Sequence, residues 1–201
     1  MAKTLANIKL DVYSRLAADM ATPAYADIHA DNITKWADNL IPLVISALDP
    51  SEYPALITAA GSVTLTTGSG SVPADYQKVL AVKATFAAGT YSAKLEKDME
   101  NFNSWDSSNF LTTPTTRKPV SVVVNGTVKV KPTSATYALM DYVKTHPAMS
   151  GSDTLFSTMG DFLLVELIVA RAFFFLEEPE LGMGILRELG IAGAREKVQG
   201  A

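Results

Sequence analysis

The sequence predicts an α+β protein: a four-helix bundle of two N-terminal and two C-terminal helices, with an antiparallel β-sheet inserted between helices two and three. Three observations predict it. Apolar residues recur at three- and four-residue steps at both ends of the chain. Between Val63 and Val143 the texture changes to short Val-, Thr-, Ser- and Tyr-rich runs divided by turn residues. Helical ends that share one core must meet, which makes the middle an insertion. The expected division is 1–57 with 151–201 for the bundle and 58–150 for the β insertion, with linkers near Pro50–Gly61 and Pro147–Ser157.

Residues 4–20 set Leu5, Ile8, Val12, Leu16 and Met20 on one helical stripe, which Thr22-Pro23 ends. Asp31 is the expected N-cap of a second helix, whose apolar face runs Ile33, Trp36, Ala37, Leu40, Ile41, Val44, Ile45 and Leu48. Pro42 inside it removes a backbone donor and predicts a kink, and Asp49-Pro50 stops it. Strands are expected at Val63–Thr67, Val79–Phe86 and Tyr91–Glu96, the last two joined through Gly89. Val120–Val124 and Thr127–Lys131 flank Asn125-Gly126, the strongest short hairpin signal. In that hairpin Val128 and Val130 should face in, and Lys129 and Lys131 out. Pro132 ends the strand, Ala135–Lys144 forms a further one, and His146-Pro147 closes the block. Asn101–Lys118 is polar and reads as a long loop.

After Gly151-Ser152-Asp153, Thr158 and Asp161 resemble a capping box opening a helix over Met159–Leu176 that is apolar nearly all round. Glu177-Glu178-Pro179-Glu180 breaks it. Pro179 and the acids suit the start of a final helix running to about Val198, with Ile185, Leu186, Leu189 and Val198 as its apolar points. Four glycines (Gly182, Gly184, Gly190 and Gly193) weaken that helix by about 1 kcal/mol each relative to Ala, so it needs something to pack on. It is expected to gain order on docking.

The 201 residues are 48% hydrophobic, enough for a real core, and only 19% charged, a share that hints at surface covered by a partner. A net charge of −4 argues against a protein that grips nucleic acid through many phosphates. The absence of cysteine excludes disulfides, thiol catalysis and zinc–thiolate sites. The N-terminal residues lack a signal peptide's apolar core. The longest apolar run, Phe162–Leu176, is too short to span a bilayer and carries Glu166 and Arg171. A soluble intracellular product with no membrane contact is expected.

Candidate chemistry is sparse. His29 stands between Asp27 and Asp31, a set that can be drawn as a metal site but reads better as a capping turn. His146 reads as a loop residue. Neither histidine has a nucleophile-elbow partner. Gly68-Ser69-Gly70 and Gly182-Met183-Gly184 fail as phosphate loops, the first having Pro73 and the second Arg187 where a third glycine is needed. The acids at Glu177, Glu178 and Glu180, and those at Glu96, Asp98 and Glu100, read as helix-start and surface groups rather than a glycosidase pair. Arg117, Lys118, Lys129 and Lys131 could form a basic face, with a solvated edge the preferred reading over a DNA contact. Glu166 and Arg171 lie about 140° apart on a helical wheel, so at least one should pair with another helix or a neighbouring subunit.

Several signatures, taken in order, resemble a known family. They are Val72-Pro73-Ala74-Asp75-Tyr76 before a strand; Asn125-Gly126-Thr127-Val128-Lys129-Val130-Lys131-Pro132; Tyr137-Ala138-Leu139-Met140-Asp141-Tyr142; and an apolar helix from Asp161 with an acidic turn at Glu177-Glu178. Together they are similar to the tail tubular protein A family, the head-to-tail adaptors of short-tailed bacteriophages. The resemblance implies a structural virion protein at the head–tail junction, made in the host cytoplasm. It implies a homo-oligomeric ring, typically dodecameric, docked beneath the portal protein. Such a ring extends the channel through which double-stranded DNA passes and seats the tail nozzle. It implies no enzyme activity, no catalytic residue, no cofactor and no metal. Pro73, Asp75, Tyr76, Asn125, Gly126 and Pro132 become candidate structural residues; by its own residue type Asp75 can bond nearby backbone N–H groups as a turn acceptor. Glu166, Arg171, Arg187, Arg195 and Lys197 become candidate subunit or portal contacts. Asn101–Lys118 departs from the family's Trp-centred pattern, although Trp105 is present, and no contact is carried over there. The alternatives are another virion part, such as a collar or fibre-attachment protein, and a small phage hydrolase.

Overall fold

A computed structural model describes residues 3–19, 28–105, 113–149 and 154–201. The chain divides into two compact units, one from residues 1–55 with 146–201 and one from 56–145. Among the described residues there are six α-helices and eight strands.

The helical unit contains α1 (Leu5–Asp19), α2 (Ala30–Ala47), α4 (Thr158–Phe175), α5 (Pro179–Glu188) and α6 (Arg195–Gly200). α4 is the hub: α1, α2, α5 and α6 all pack against it. Its Leu164, Leu167, Ile168 and Val169 are fully buried, as are Ile8, Val12 and Leu16 of α1 and Ile33 and Val44 of α2. Each such side chain contributes about 1.5–3 kcal/mol of burial. At one crossing α5 approaches closely enough that a Cβ at Gly182 would stand 3.0 Å from the Ala170 carbonyl oxygen and from the Phe174 ring, so a larger residue there needs both to give by a few tenths of an ångström.

The β unit holds two four-stranded sheets. The first has order β1 (Ile57–Thr64), β8 (Tyr137–Lys144), β3 (Tyr76–Phe86), β4 (Gly89–Ser92), with every pair antiparallel. The second has order β2 (Ser69–Ser71), β7 (Thr127–Lys131), β6 (Val120–Val124), β5 (Lys94–Glu96), and its β5–β6 pair is parallel. Val63, Val82, Ala84, Phe86, Val128, Val130, Ala138 and Met140 form one core shared by both sheets. A second, small core of Phe102, Val120 and Val122 lies under α3 (Met99–Ser104).

The expected four-helix bundle with one antiparallel sheet is therefore overturned. The last expected helix is two, because α5 closes at Gly190, which sits at φ 70°. There Gly190 N–H donates to the Arg187 carbonyl and Ile191 N–H to the Leu186 carbonyl, a Schellman turn that stops the helix. The single expected sheet becomes two, because the run Tyr91–Glu96 divides at Ala93: β4 pairs in the first sheet and β5 in the second. Strands with apolar residues on both inner faces build a core of their own, independent of any helix packing.

Smaller expectations also change. Asp31 lies in the first turn of α2, and His29 takes the N-cap position without a side-chain cap. Ser157 caps α4, its hydroxyl accepting from Met159 and Gly160 N–H and donating to the Glu52 carboxylate. Pro42 lies within α2 without ending it. The reading of 101–118 as loop misses α3, whose six residues are too few to show a period. Met20, the Thr22-Pro23 stop and Gly151–Asp153 lie outside the described residues.

Candidate functional site

The helical unit opens a groove where α1, α4 and α5 diverge. The first half of α4 turns Met159 and Phe162 to solvent, 57% and 51% exposed, on a helix whose middle is buried. Beside Phe162, Arg15 Nε of α1 lies 3.4 Å from Glu166 Oε1 of α4. Glu166 is 8% exposed, and the Arg15 side chain is half open. This pair and Phe162 form a ridge between two recesses of 420 and 500 Å³. The first recess is rimmed by Lys3 and Asp11, which pair with each other, and by Ser14 and Thr158. The second is walled by Ile185, Glu188 and Leu189 of α5 and its C-terminal end. An apolar floor rimmed by charge suits a protein partner.

Glu166 and Arg171 do not meet. Glu166 faces α1, whereas the Arg171 guanidinium stacks 5.2 Å from the Trp36 ring of α2. Burial lowers the Arg171 pKa. Phe175 packs on the same Trp36 ring at 5.5 Å. The other candidate contacts are dispersed. Arg187 is exposed in the last turn of α5, Arg195 is exposed at the start of α6, and Lys197 lines a recess with Asn39, Pro42 and Leu43 of α2. The chain's last residue is held there, Ala201 O accepting from Asn39 Nδ2 at 2.8 Å.

The candidate structural residues gather at two joints of the β unit. Pro73 begins the turn into β3, its carbonyl accepting from Tyr76 N–H. Asp75 is not the local turn acceptor expected. Its Oδ1 accepts from the Tyr142 hydroxyl at 3.0 Å and its carbonyl from Thr145 N–H at 2.7 Å, fastening the start of β3 to the end of β8. Tyr76 packs on Tyr142, ring centroids 6.1 Å apart. Burial and the Asp75 hydrogen bond both raise the Tyr142 pKa. Asn125 and Gly126 sit at φ 48° and 71°, the left-handed pair that a two-residue hairpin turn requires, and Gly126 O accepts from Val72 N–H. Pro132 follows the last residue of β7.

Three residues matter more than their sequence context suggested. His146 is buried: its Nδ1–H donates to the Pro147 carbonyl, and its Nε2 accepts from Leu155 N–H at 3.1 Å. A carbonyl can only accept and an amide N–H only donate, so the ring is neutral with its proton on Nδ1. Burial pushes its pKa down, opposed by the Pro147 hydrogen bond and by the charges of Asp38 and Asp161. Asp161 is also buried, which raises its carboxyl pKa against the pull of Thr154 and Lys3. Lys131, expected to face solvent, is 8% exposed. Its Nζ donates to the Phe102 carbonyl at 2.9 Å and lies 4.4 Å from the Phe102 ring, because α3 covers the outer face of that sheet. Only the outward register of Lys131 beside buried Val130 was available to flag it. Asp27 of the drawn metal set lies outside the described residues.

The expected basic face is therefore rebuilt without Lys131. Lys94, Arg117, Lys118 and Trp105 border a 440 Å³ groove closed by Pro119 and Val120. Lys94 Nζ lies 4.6 Å from the Trp105 ring and 2.7 Å from Glu96 Oε1, which also accepts from Trp105 Nε1 at 2.9 Å. Arg117 and Lys118 are exposed. No family model matches the chain, and no curated protein matches it by sequence.

Proposed function

We propose that this chain is a structural assembly protein: the subunit of a head-to-tail adaptor ring that docks beneath a phage portal, extends the DNA channel and seats the tail. The observation that carries the reading is the pair of solvent-open apolar side chains, Met159 and Phe162, on the most buried helix of the protein. A monomer gains nothing from holding a Phe half in water beside an ion pair whose carboxylate is buried and whose guanidinium is half open, whereas a subunit covers both on assembly. The order of sequence signatures supplies the family. Partners are the portal, the tail nozzle and further copies of this chain.

The test is to mix the purified chain with candidate portals and image the product by electron microscopy. Free chains converting to rings on the portal are the expected outcome. Turnover of a cell-wall substrate with no ring under any condition overturns the reading in favour of a hydrolase. Decoration of the collar or fibres alone moves the protein elsewhere on the virion. Phe162→Asp should abolish ring formation while leaving the circular dichroism spectrum unchanged, since the side chain is already half in water.

A further inference from the structure

The two units carry opposite charge. Residues 1–55 and 146–201 hold eight Lys and Arg against fifteen Asp and Glu, a formal −7. Residues 56–145 hold nine against six, a formal +3. Two local surfaces express this asymmetry. On the β unit, the groove beside Trp105 presents Arg117 and Lys118, neither of which meets a carboxylate among the described residues. On the helical unit, the turn after α4 presents Glu177, Glu178 and Glu180, all exposed, between Phe175 and Leu181, which are 45% and 43% exposed. Glu177 also adopts φ 63° at the helix-closing position, where glycine is the cheaper residue.

We infer that the Lys94–Arg117–Lys118 groove of one copy receives the acidic Phe175–Leu181 turn of a second copy. The inference rests on the ring reading and names one contact, besides the Phe162 face, that would build it. The acids answer the cations, and the flanking apolar residues answer the Trp105 wall. A contact between two different patches is heterologous, the type that closes a ring when its rotation closes. Nucleic acid fits less well. A duplex grip needs about 6–10 phosphate contacts. This groove offers two cations that meet no carboxylate among the described residues and a third already held by Glu96.

The experiment uses the full chain. One variant carries Arg117→Glu and Lys118→Glu, the other Glu177→Lys and Glu178→Lys, each checked for native circular dichroism. Self-association of each alone, measured by sedimentation velocity at low salt, should weaken roughly one hundred-fold, with the difference shrinking as salt rises. An equimolar mixture should recover wild-type association, because each reversed turn then meets a reversed groove. Carboxyl–amine cross-linking of isotopically light and heavy wild-type chains should join Glu177 or Glu178 to Lys94 or Lys118 across copies. Variants that associate like wild type, a mixture that fails to recover, or the absence of light–heavy cross-links each overturn the inference. So does loss of duplex DNA binding by the groove variant with self-association unchanged. Rings that assemble normally on a portal from both variants sink this contact and leave the adaptor reading standing. Light–heavy cross-links without any portal ring do the reverse.

Discussion

The helical unit and the β unit keep different ionisable groups out of water. In the first, Asp161, Glu166 and His146 are buried; in the second, Lys131 is, together with the phenol of Tyr142. The helical unit matches Glu166 with a side chain from another helix and holds His146 by backbone groups of the chain that follows it. The β unit satisfies Lys131 with a carbonyl of α3 and Tyr142 with the carboxylate that opens β3. A helix that is apolar all round can hide an ion only where a neighbouring helix brings a partner. A sheet hides one wherever a cover is laid over a face that would otherwise be wet. The difference teaches that burial in these two units follows from what covers an element, not from the element's own pattern.

The largest break in the comparison should come at the hub. Phe173→Ala in α4, a fully buried site, should cost about 3–5 kcal/mol and lower the thermal midpoint sharply. Hydrogen exchange should report the loss first in α1, α2 and α5, which pack on α4. Protection lost first in β3 and β8 would show that the hub is misplaced. Next comes the covered amine. Lys131→Ala should cost about 1.5–3 kcal/mol in urea unfolding, because the buried Phe102 carbonyl loses a charged donor. A change like that of an exposed lysine would show that α3 covers nothing.

Titration sharpens the comparison by sign. His146 is neutral in the folded chain, with its pKa held below 6.5. As pH falls through and below 6.5, the unfolded chain takes a proton that the folded one refuses, and stability drops. Asp161 works the other way. Its raised pKa makes stability fall as pH climbs above the ordinary 3.8. In the β unit, the raised Tyr142 pKa makes stability fall as pH climbs past 10.0. His146→Gln should flatten the limb below 6.5 and leave the alkaline limb intact, and Tyr142→Phe should do the opposite; thermal melts across pH decide it. The smallest effect is a gain. Gly184, unlike Gly182, has nothing within 4 Å of a Cβ, so Gly184→Ala should stabilise α5 by about 0.5–1 kcal/mol in the same melts.

Much of the candidate surface was half legible. The charges of α4 stood out as anomalies, and the demand that at least one of Glu166 and Arg171 pair with another helix or a neighbouring subunit is met at Glu166 by Arg15 of α1. That Arg15 would supply it was invisible, because one exposed face of α1 looks like another. Nothing in the sequence separates Phe162 from its buried neighbours, because α4 is apolar nearly all round; only the divergence of α1 and α5 leaves it open. Asp75 read as a turn acceptor because its nearest donors in sequence are backbone amides, while its actual donor, Tyr142, is far along the chain. Glu177–Glu180 read as a helix start, and only the packed fold sets it between the exposed Phe175 and Leu181.

By itself the sequence determined the local elements with strong internal signals. The stripes of α1 and α2 come from 3.6-residue periodicity, the hairpin at Asn125-Gly126 from the left-handed conformation those residues tolerate, and the end of β7 from Pro132. These depend on atoms within a few residues of one another. The tertiary structure decided what depends on distant atoms. It made two sheets of what read as one, by sending β4 and β5 to different partners across Ala93. It buried Lys131 on the outer face by laying α3 over it, and it set α4 at the centre of five helices rather than at the corner of four. Strand partners and helix neighbours are chosen by which apolar faces remain uncovered once every element has formed, and no window of sequence contains that choice.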